Sequence, residues 1–194
     1  MPPNMGYLEK IYEKDAETGA YVISVALDGY GDVFNEWDPA PFKKRDLDAD
    51  LRKYLENCSS DIPFDCHTIV CFNVPEGERD EKKEESVVSG LKNYFSFYLS
   101  SRGYELKVAR KRGLLFAAIS AALLFTAVSL SSYASIDSLY LVLIEGIYIC
   151  GWVFLWEAIS TSVFKSKKAK SEYLYYKRFS ESPIRFKYVA AHAQ

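Results

Sequence analysis

Only two histidines and four cysteines occur in these 194 residues, and their placement argues against a metal centre. No CxxC pair is present, and Cys66 and His67 would point to opposite faces of a shared strand, so Cys58, Cys66, His67 and Cys71 make a poor zinc site. Buried structural thiols are the expected state, and reduced ones if they lie in the cytoplasm or a membrane. Asp46, Asp48 and Asp50 imitate the start of a calcium loop, but Leu51 stands where glycine is needed and Asn57 where glutamate is needed. GxSxG, Walker, GxGxxG and HExxH motifs are all missing, and His192 falls in an expected tail. No catalytic residue, metal or cofactor is therefore assigned. Met1 to Lys14 lacks the apolar stretch of a signal peptide, so insertion into a membrane is expected to rely on segments further along.

Those segments are two apolar runs, residues 113–133 and 139–164. Each is long enough to cross a hydrocarbon core of ~30 Å, which needs about 20 residues at helical rise. Charge is divided around them. Residues 1–106 carry 12 Lys/Arg against 21 Asp/Glu, and residues 107–194 carry 12 against 5, which hides an acidic head and a basic remainder behind a net charge of -2. Lys107, Arg110, Lys111 and Arg112 abut the first run, and Lys165, Lys167, Lys168 and Lys170 the second, while Ala134 to Ser138 between them has no basic residue. By the positive-inside rule the runs form a helical hairpin in the cell (inner) membrane, multi-pass, with both termini cytoplasmic.

The expected organisation is a small α+β or α/β cytoplasmic head over residues 1–105 with a βαβ core and a short sheet. A transmembrane hairpin follows over 106–164, then a basic, aromatic juxtamembrane helix and C-terminal strand over 165–194. Tyr21 to Leu27 reads as a central strand covered on both faces. A helix follows from an N-cap at Asp46 to about Ser59, and His67 to Val74 is the second, parallel strand. Glu78 to Glu85 is a solvated charge run. A second helix carries Val87, Val88, Leu91, Tyr94, Phe95, Tyr98 and Leu99 toward the first span, with a break expected at Gly103. Lys165 to Phe179 suits a helix lying along the inner membrane surface. Ile184 to Tyr188 alternates apolar and charged residues, as an edge strand returning to the head would.

Candidate functional residues fall in three groups. Glu145 lies about two turns inside the second span, where an ionised acid costs about 2.5 to 3.5 kcal/mol. It is therefore expected to be paired, hydrated or protonated, facing Thr126 to Ser129. Glu157 is placed near Arg112, as a snorkelling ion pair. Gly113, Ala117 and Ala121 recur every four positions, as do Gly146 and Cys150. These small faces, together with the intramembrane acids, point to a homo-oligomer. The third group is the loop Asn35 to Arg45, in which Trp37, Asp38, Pro39, Pro41, Phe42, Lys43, Lys44 and Arg45 combine aromatics, acids, rigid prolines and a basic triplet. It is either a ligand or partner surface, or a rigid connection that plugs the core with Trp37 and Phe42.

Phe34-Asn35 through Asp38-Pro39-Ala40-Pro41-Phe42, Arg45-Asp46-Leu47-Asp48, Glu145-Gly146, Gly151-Trp152 and Trp156 resemble an uncharacterised family of small prokaryotic two-span membrane proteins with a cytoplasmic N-terminal domain. Where that family continues with Arg-Pro and a Trp-rich stretch, Glu157-Ala158 and a Lys-rich stretch stand here. The resemblance implies architecture and no activity. The expected function is a non-enzymatic, oligomeric integral membrane protein whose head senses or binds a cytoplasmic protein partner. An ion or proton pathway through an oligomer using Glu145 is the alternative, and a membrane-surface enzyme comes third. The lipid bilayer is the first partner, and no nucleic acid is expected.

Overall fold

The computed structural model describes residues 5–41, 44–132 and 138–190. The chain divides into two compact units, the first made of Met1–Ser100 with Tyr173–Gln194 and the second of Ser101–Glu172. In chain order the elements are α1 (Met5–Ile11), β1 (Glu13–Lys14), β2 (Tyr21–Ala26), α2 (Ala49–Asp61), β3 (Thr68–Pro75), α3 (Glu81–Ser131), α4 (Ser138–Ser160), α5 (Ser166–Glu181) and β4 (Ile184–Val189).

The first unit is built on a four-stranded mixed sheet of order β1-β2-β3-β4. β2, β3 and β4 are parallel, with Ile23 opposite Val70 and Phe72 opposite Phe186, and β1 adds a two-residue antiparallel edge. The expected βαβ unit is β2-α2-β3, and the C-terminal segment does enter the sheet as an edge strand. β2 is not covered on both faces: Tyr21, Ile23 and Val25 are buried while Ser24 and Ala26 are exposed. Its inward side chains join Phe72 and Val74 of β3 and the buried faces of four helices, with Leu8 of α1, Leu55 of α2, Leu91 and Phe95 of α3, and Phe179 of α5.

Helix starts differ from expectation for local reasons. Asp46 is not the N-cap of α2. Its carbonyl accepts from Asn35 N at 2.9 Å and Leu47 forms an antiparallel bridge with Phe34, which keep the chain extended for two more residues. Asp48 caps instead, accepting from the amides of Asp50 and Leu51. The charge run is partly helical, because the Asp80 carboxylate accepts from Lys82 N and Lys83 N and starts α3 at Glu81. Nor does α3 break at Gly103. Arg102 bonds Glu105 at 2.7 Å and Glu172 at 3.1 Å across that position, and the flanking residues are helix formers that tolerate a glycine cost of about 1 kcal/mol.

α5 also corrects an expectation. Three of its four aromatic residues are turned away from any membrane surface: Tyr175, Tyr176 and Phe179 belong to the head core. The Phe95 and Phe179 rings stack at 5.3 Å, and those of Tyr98 and Tyr176 at 5.2 Å. Helical period sorts the segment, with these rings on one stripe and Lys167, Lys170 and Lys177 on another. The two parts of the head are then tied reciprocally. Arg178 of α5 is buried and donates to Ser59 O at 2.8 Å, Ser59 Oγ at 3.1 Å, Ile62 O at 2.9 Å and Pro63 O at 2.5 Å, satisfying the C-terminal end of α2. Lys92 of α3 donates to Ser180 O and Ser182 O, each at 2.7 Å, satisfying the C-terminal end of α5. Carbonyls there are unpaired within the helix and carry partial negative charge, so a cation suits both places. Burial lowers the Lys92 ammonium from its ordinary value.

In the second unit, the apolar parts of α3 and α4 pair antiparallel. Ser120 Oγ donates to Gly151 O at 2.8 Å, and Tyr140 OH to Leu130 O at 3.1 Å. Gly113, Ser120 and Ala127 are buried at intervals of seven, as are Ile144, Gly151 and Ala158. A seven-residue repeat keeps one seam in register between two helices. Both helices are long and apolar enough to cross a membrane. A π-helical turn, Thr161–Lys165, joins α4 to α5.

Candidate functional site

The loop after β2 is closed at its neck by the Phe34 to Leu47 bridge and by Asp48 N donating to Val33 O at 3.1 Å. Its two ends therefore meet, as in a compact Ω-loop. Inside, Asp38 is the organising residue: Oδ1 accepts from Ala40 N at 2.9 Å and Oδ2 from Asp46 N at 2.8 Å. Arg45 Nε donates to Ala40 O at 2.9 Å, and Asn35 Oδ1 accepts from Trp37 N at 3.0 Å. Among the described residues, the loop is thus ordered by its own polar groups.

Trp37 is 92% exposed, which removes the reading in which it fills the core. Phe42 and Lys43, the other aromatic and one of the basic triplet, lie outside the described residues. Asp38, Lys44, Arg45 and Asp46 line a hollow of ≈ 390 Å³ against Asn93, Tyr94, Phe97 and Tyr98 of α3. Phe97 is also well exposed. Its position off the apolar stripe of α3 hid it from periodicity, so sequence reasoning did not select it. The exposed Phe97 thus lines one hollow with Lys44 and Arg45, and aromatic residues and arginine are enriched at protein interfaces.

The backbone amides of Ala40 and Asp46 hold the Asp38 carboxyl below its ordinary value. Above the usual carboxylate range of ~3.9 its contribution to loop order is complete, and it is lost as the pH falls through the lowered value. Amide hydrogen exchange checks this. Ala40 and Asp46 are expected to stay protected in the native chain down to pH values below the ordinary range. In Asp38→Ala they are expected to exchange about tenfold faster at neutral pH, as loss of a charged acceptor implies. Equal protection in both chains would remove Asp38 as the organiser.

The two apolar helices carry the remaining candidates. Glu145 and its neighbour Gly146 are exposed on the outer side of α4, while the adjacent Ile144 is buried toward α3. Thr126, expected opposite Glu145, turns its hydroxyl back to Ala122 O at 2.8 Å. Glu157 is half-buried, accepts from Thr161 Oγ1 at 3.2 Å, and lines one hollow with Arg112. Of the small residues, Gly113 sits in the helix seam, where a Cβ would meet Ser162 Oγ at 2.7 Å. Ala117, Ala121, Gly146 and Cys150 are exposed and leave their faces outward. The seam runs instead through the seven-residue sets, which a search for four-residue spacing passes over.

At the C-terminal end of the parallel strands, Tyr30 OH and Tyr188 OH both donate to Glu84 Oε1, at 2.8 and 2.7 Å. Burial, with the neighbouring carboxylate, pushes the Tyr30 phenol up to about 12. This group holds β4 and α3 in place and is a structural junction. Among the described residues no three His, Cys, Asp or Glu side chains are grouped to hold a metal ion. Compared with known proteins, the chain matches no family model, no curated protein and no solved structure.

Proposed function

We propose that this chain is a non-enzymatic, membrane-anchored protein whose cytoplasmic head binds a protein partner through the Asn35 to Asp46 loop. One observation carries the reading. The head is discontinuous, sharing one sheet and one core between Met1–Ser100 and Tyr173–Gln194. Two segments of one folded domain lie on one side of a bilayer, so the intervening chain crosses it an even number of times, and two apolar helices are available. The described apolar windows of those helices are only 17% and 11% buried, unlike the core of a soluble protein, and Leu114, Phe125, Val142, Trp152 and Trp156 turn outward. Basic residues on both flanks support a cytoplasmic head by the positive-inside rule. The resemblance to prokaryotic two-span proteins belongs to the same reading.

The partner surface rests on Trp37, exposed on an ordered loop and contributing nothing to the core, and on the hollow that Phe97, Lys44 and Arg45 line in the same loop region. Photo-crosslinking from position 37 in native membranes tests it. A discrete protein adduct is expected, and it should vanish with Arg45→Glu while the head stays protease-resistant. A well-folded head that yields no adduct counts against the reading, as does turnover that depends on a head residue.

A second reading is favoured by Glu145 facing outward from an apolar helix. A carboxylate there is costly against lipid and calls for a second copy of the chain, either as a polar contact or as part of a proton or ion pathway. Glu145→Gln would preserve the oligomer and abolish flux in the pathway case.

A further inference from the structure

Where the apolar part of α3 begins, two hollows lie side by side and share Tyr104, Val108 and Arg112. The first, ≈ 570 Å³, is lined by Lys107, Arg110, Lys111 and Arg112 with Tyr104 and Leu114, and no carboxylate faces it. The second, ≈ 560 Å³, runs between α3 and α4 along Val108, Ala109, Leu115 and Phe116 to Thr161, the first residue of the π-helical turn. Its two acids are engaged, Glu105 with Arg102 at 2.7 Å and Glu157 with Thr161 Oγ1. One compartment is thus cationic and the adjoining one is an apolar groove, with Tyr104 and Arg112 on the ridge between them. We propose that this pair of hollows binds one anionic glycerophospholipid, with the phosphate on Lys107, Lys111 and Arg112 and an acyl chain along Val108, Leu115 and Phe116.

The occupant follows from chemistry on both sides of the ridge. Four cations around a hollow that no carboxylate lines select an anionic head, since basic clusters beside a span attract such lipids. The groove gives a hydrocarbon chain a surface that a free phosphate would leave uncovered. The turn at Thr161–Lys165 widens the helix by one residue per turn, a local irregularity often found at functional positions. This inference rests on the membrane reading of α3 and α4.

The test uses the full chain in nanodiscs of zwitterionic lipid with a minor fraction of phosphatidylglycerol, and native mass spectrometry of the lipid retained on extraction. The anionic lipid is expected to be enriched on the protein by about tenfold over its bulk fraction, a conservative figure for three basic groups. Enrichment should vanish in Lys107→Gln/Lys111→Gln/Arg112→Gln and persist in Lys167→Gln/Lys168→Gln/Lys170→Gln, with the head equally protease-resistant in all three. Phe116→Ala should weaken retention while leaving the charge unchanged. Equal loss in the two triple variants would mean diffuse attraction and overturn the site, and so would displacement by millimolar glycerol phosphate alone. Alkaline carbonate separates the two failures. A chain that washes off the membrane removes the membrane reading and this site with it, whereas an integral chain without enrichment removes the site alone.

Discussion

Arg178→Ala is expected to unfold the head. The guanidinium satisfies three carbonyls and one hydroxyl at the end of α2 and lies over the Phe64 ring at 4.6 Å. Its removal strips donors from a buried helix terminus, at about 1 to 3 kcal/mol for an unsatisfied group, and water entering the cavity recovers only part of this. A combined loss of about 3 to 5 kcal/mol is comparable to the whole stability of many small domains. Arg178→Lys should rescue only in part, because an ammonium cannot fork to several carbonyls as a planar guanidinium does. Hydrogen exchange of β3 in the full-length chain reads the effect directly. Native-like protection of Thr68 to Val74 in Arg178→Ala would show that the cap is dispensable.

The second large effect belongs to Gly151→Leu. A Cβ at this position would meet Leu124 Cδ2 at 2.7 Å and Cγ at 2.8 Å, so even alanine requires Leu124 to move. A leucine fills the seam where Ser120 bonds Gly151 O, and overpacking of this kind costs about 1 to 3 kcal/mol in addition to the lost hydrogen bond. Separation of the two helices is the expected result. Cross-linking of Ala127→Cys to Ile144→Cys, in a Cys150→Ser background, should fall by about tenfold, with a smaller drop for Gly151→Ala. Unchanged cross-linking would mean that the helices pair through another face.

Much of the head was readable because strand signals are local. Tyr21 to Ala26 and Thr68 to Pro75 stand out by β-branched content between turn residues, and Ile184 to Val189 by alternation. The two apolar runs were plain from length alone. The misses have tertiary causes. β1 is two residues long and exists only as a partner for β2. The N-cap moved from Asp46 to Asp48 because Leu47 was recruited by Phe34, a contact that no propensity encodes. Aromatic residues among lysines in α5 fit a membrane surface and a protein core equally well by composition. Their burial depends on Phe95, some eighty residues earlier in the chain. Of the candidate loop, its extent and polar character were readable, but the role of Asp38 and the exposure of Trp37 required the closed neck to be known.

Because the head is assembled from both sides of the second unit, the 72 residues from Ser101 to Glu172 act as an insertion whose ends must be brought together. For a flexible chain of that length the length-dependent part of the closure entropy, (3/2)RT ln n, is about 4 kcal/mol. A preformed helical pair removes most of that cost by restricting where its ends can go. Folding is then ordered in time. Residues 1–100 wait with Phe72 and Phe95 uncovered until α5 and β4 arrive, and they arrive in place only once the hairpin has formed. A hairpin that failed to form would leave the head unfinished and aggregation-prone, open to proteases.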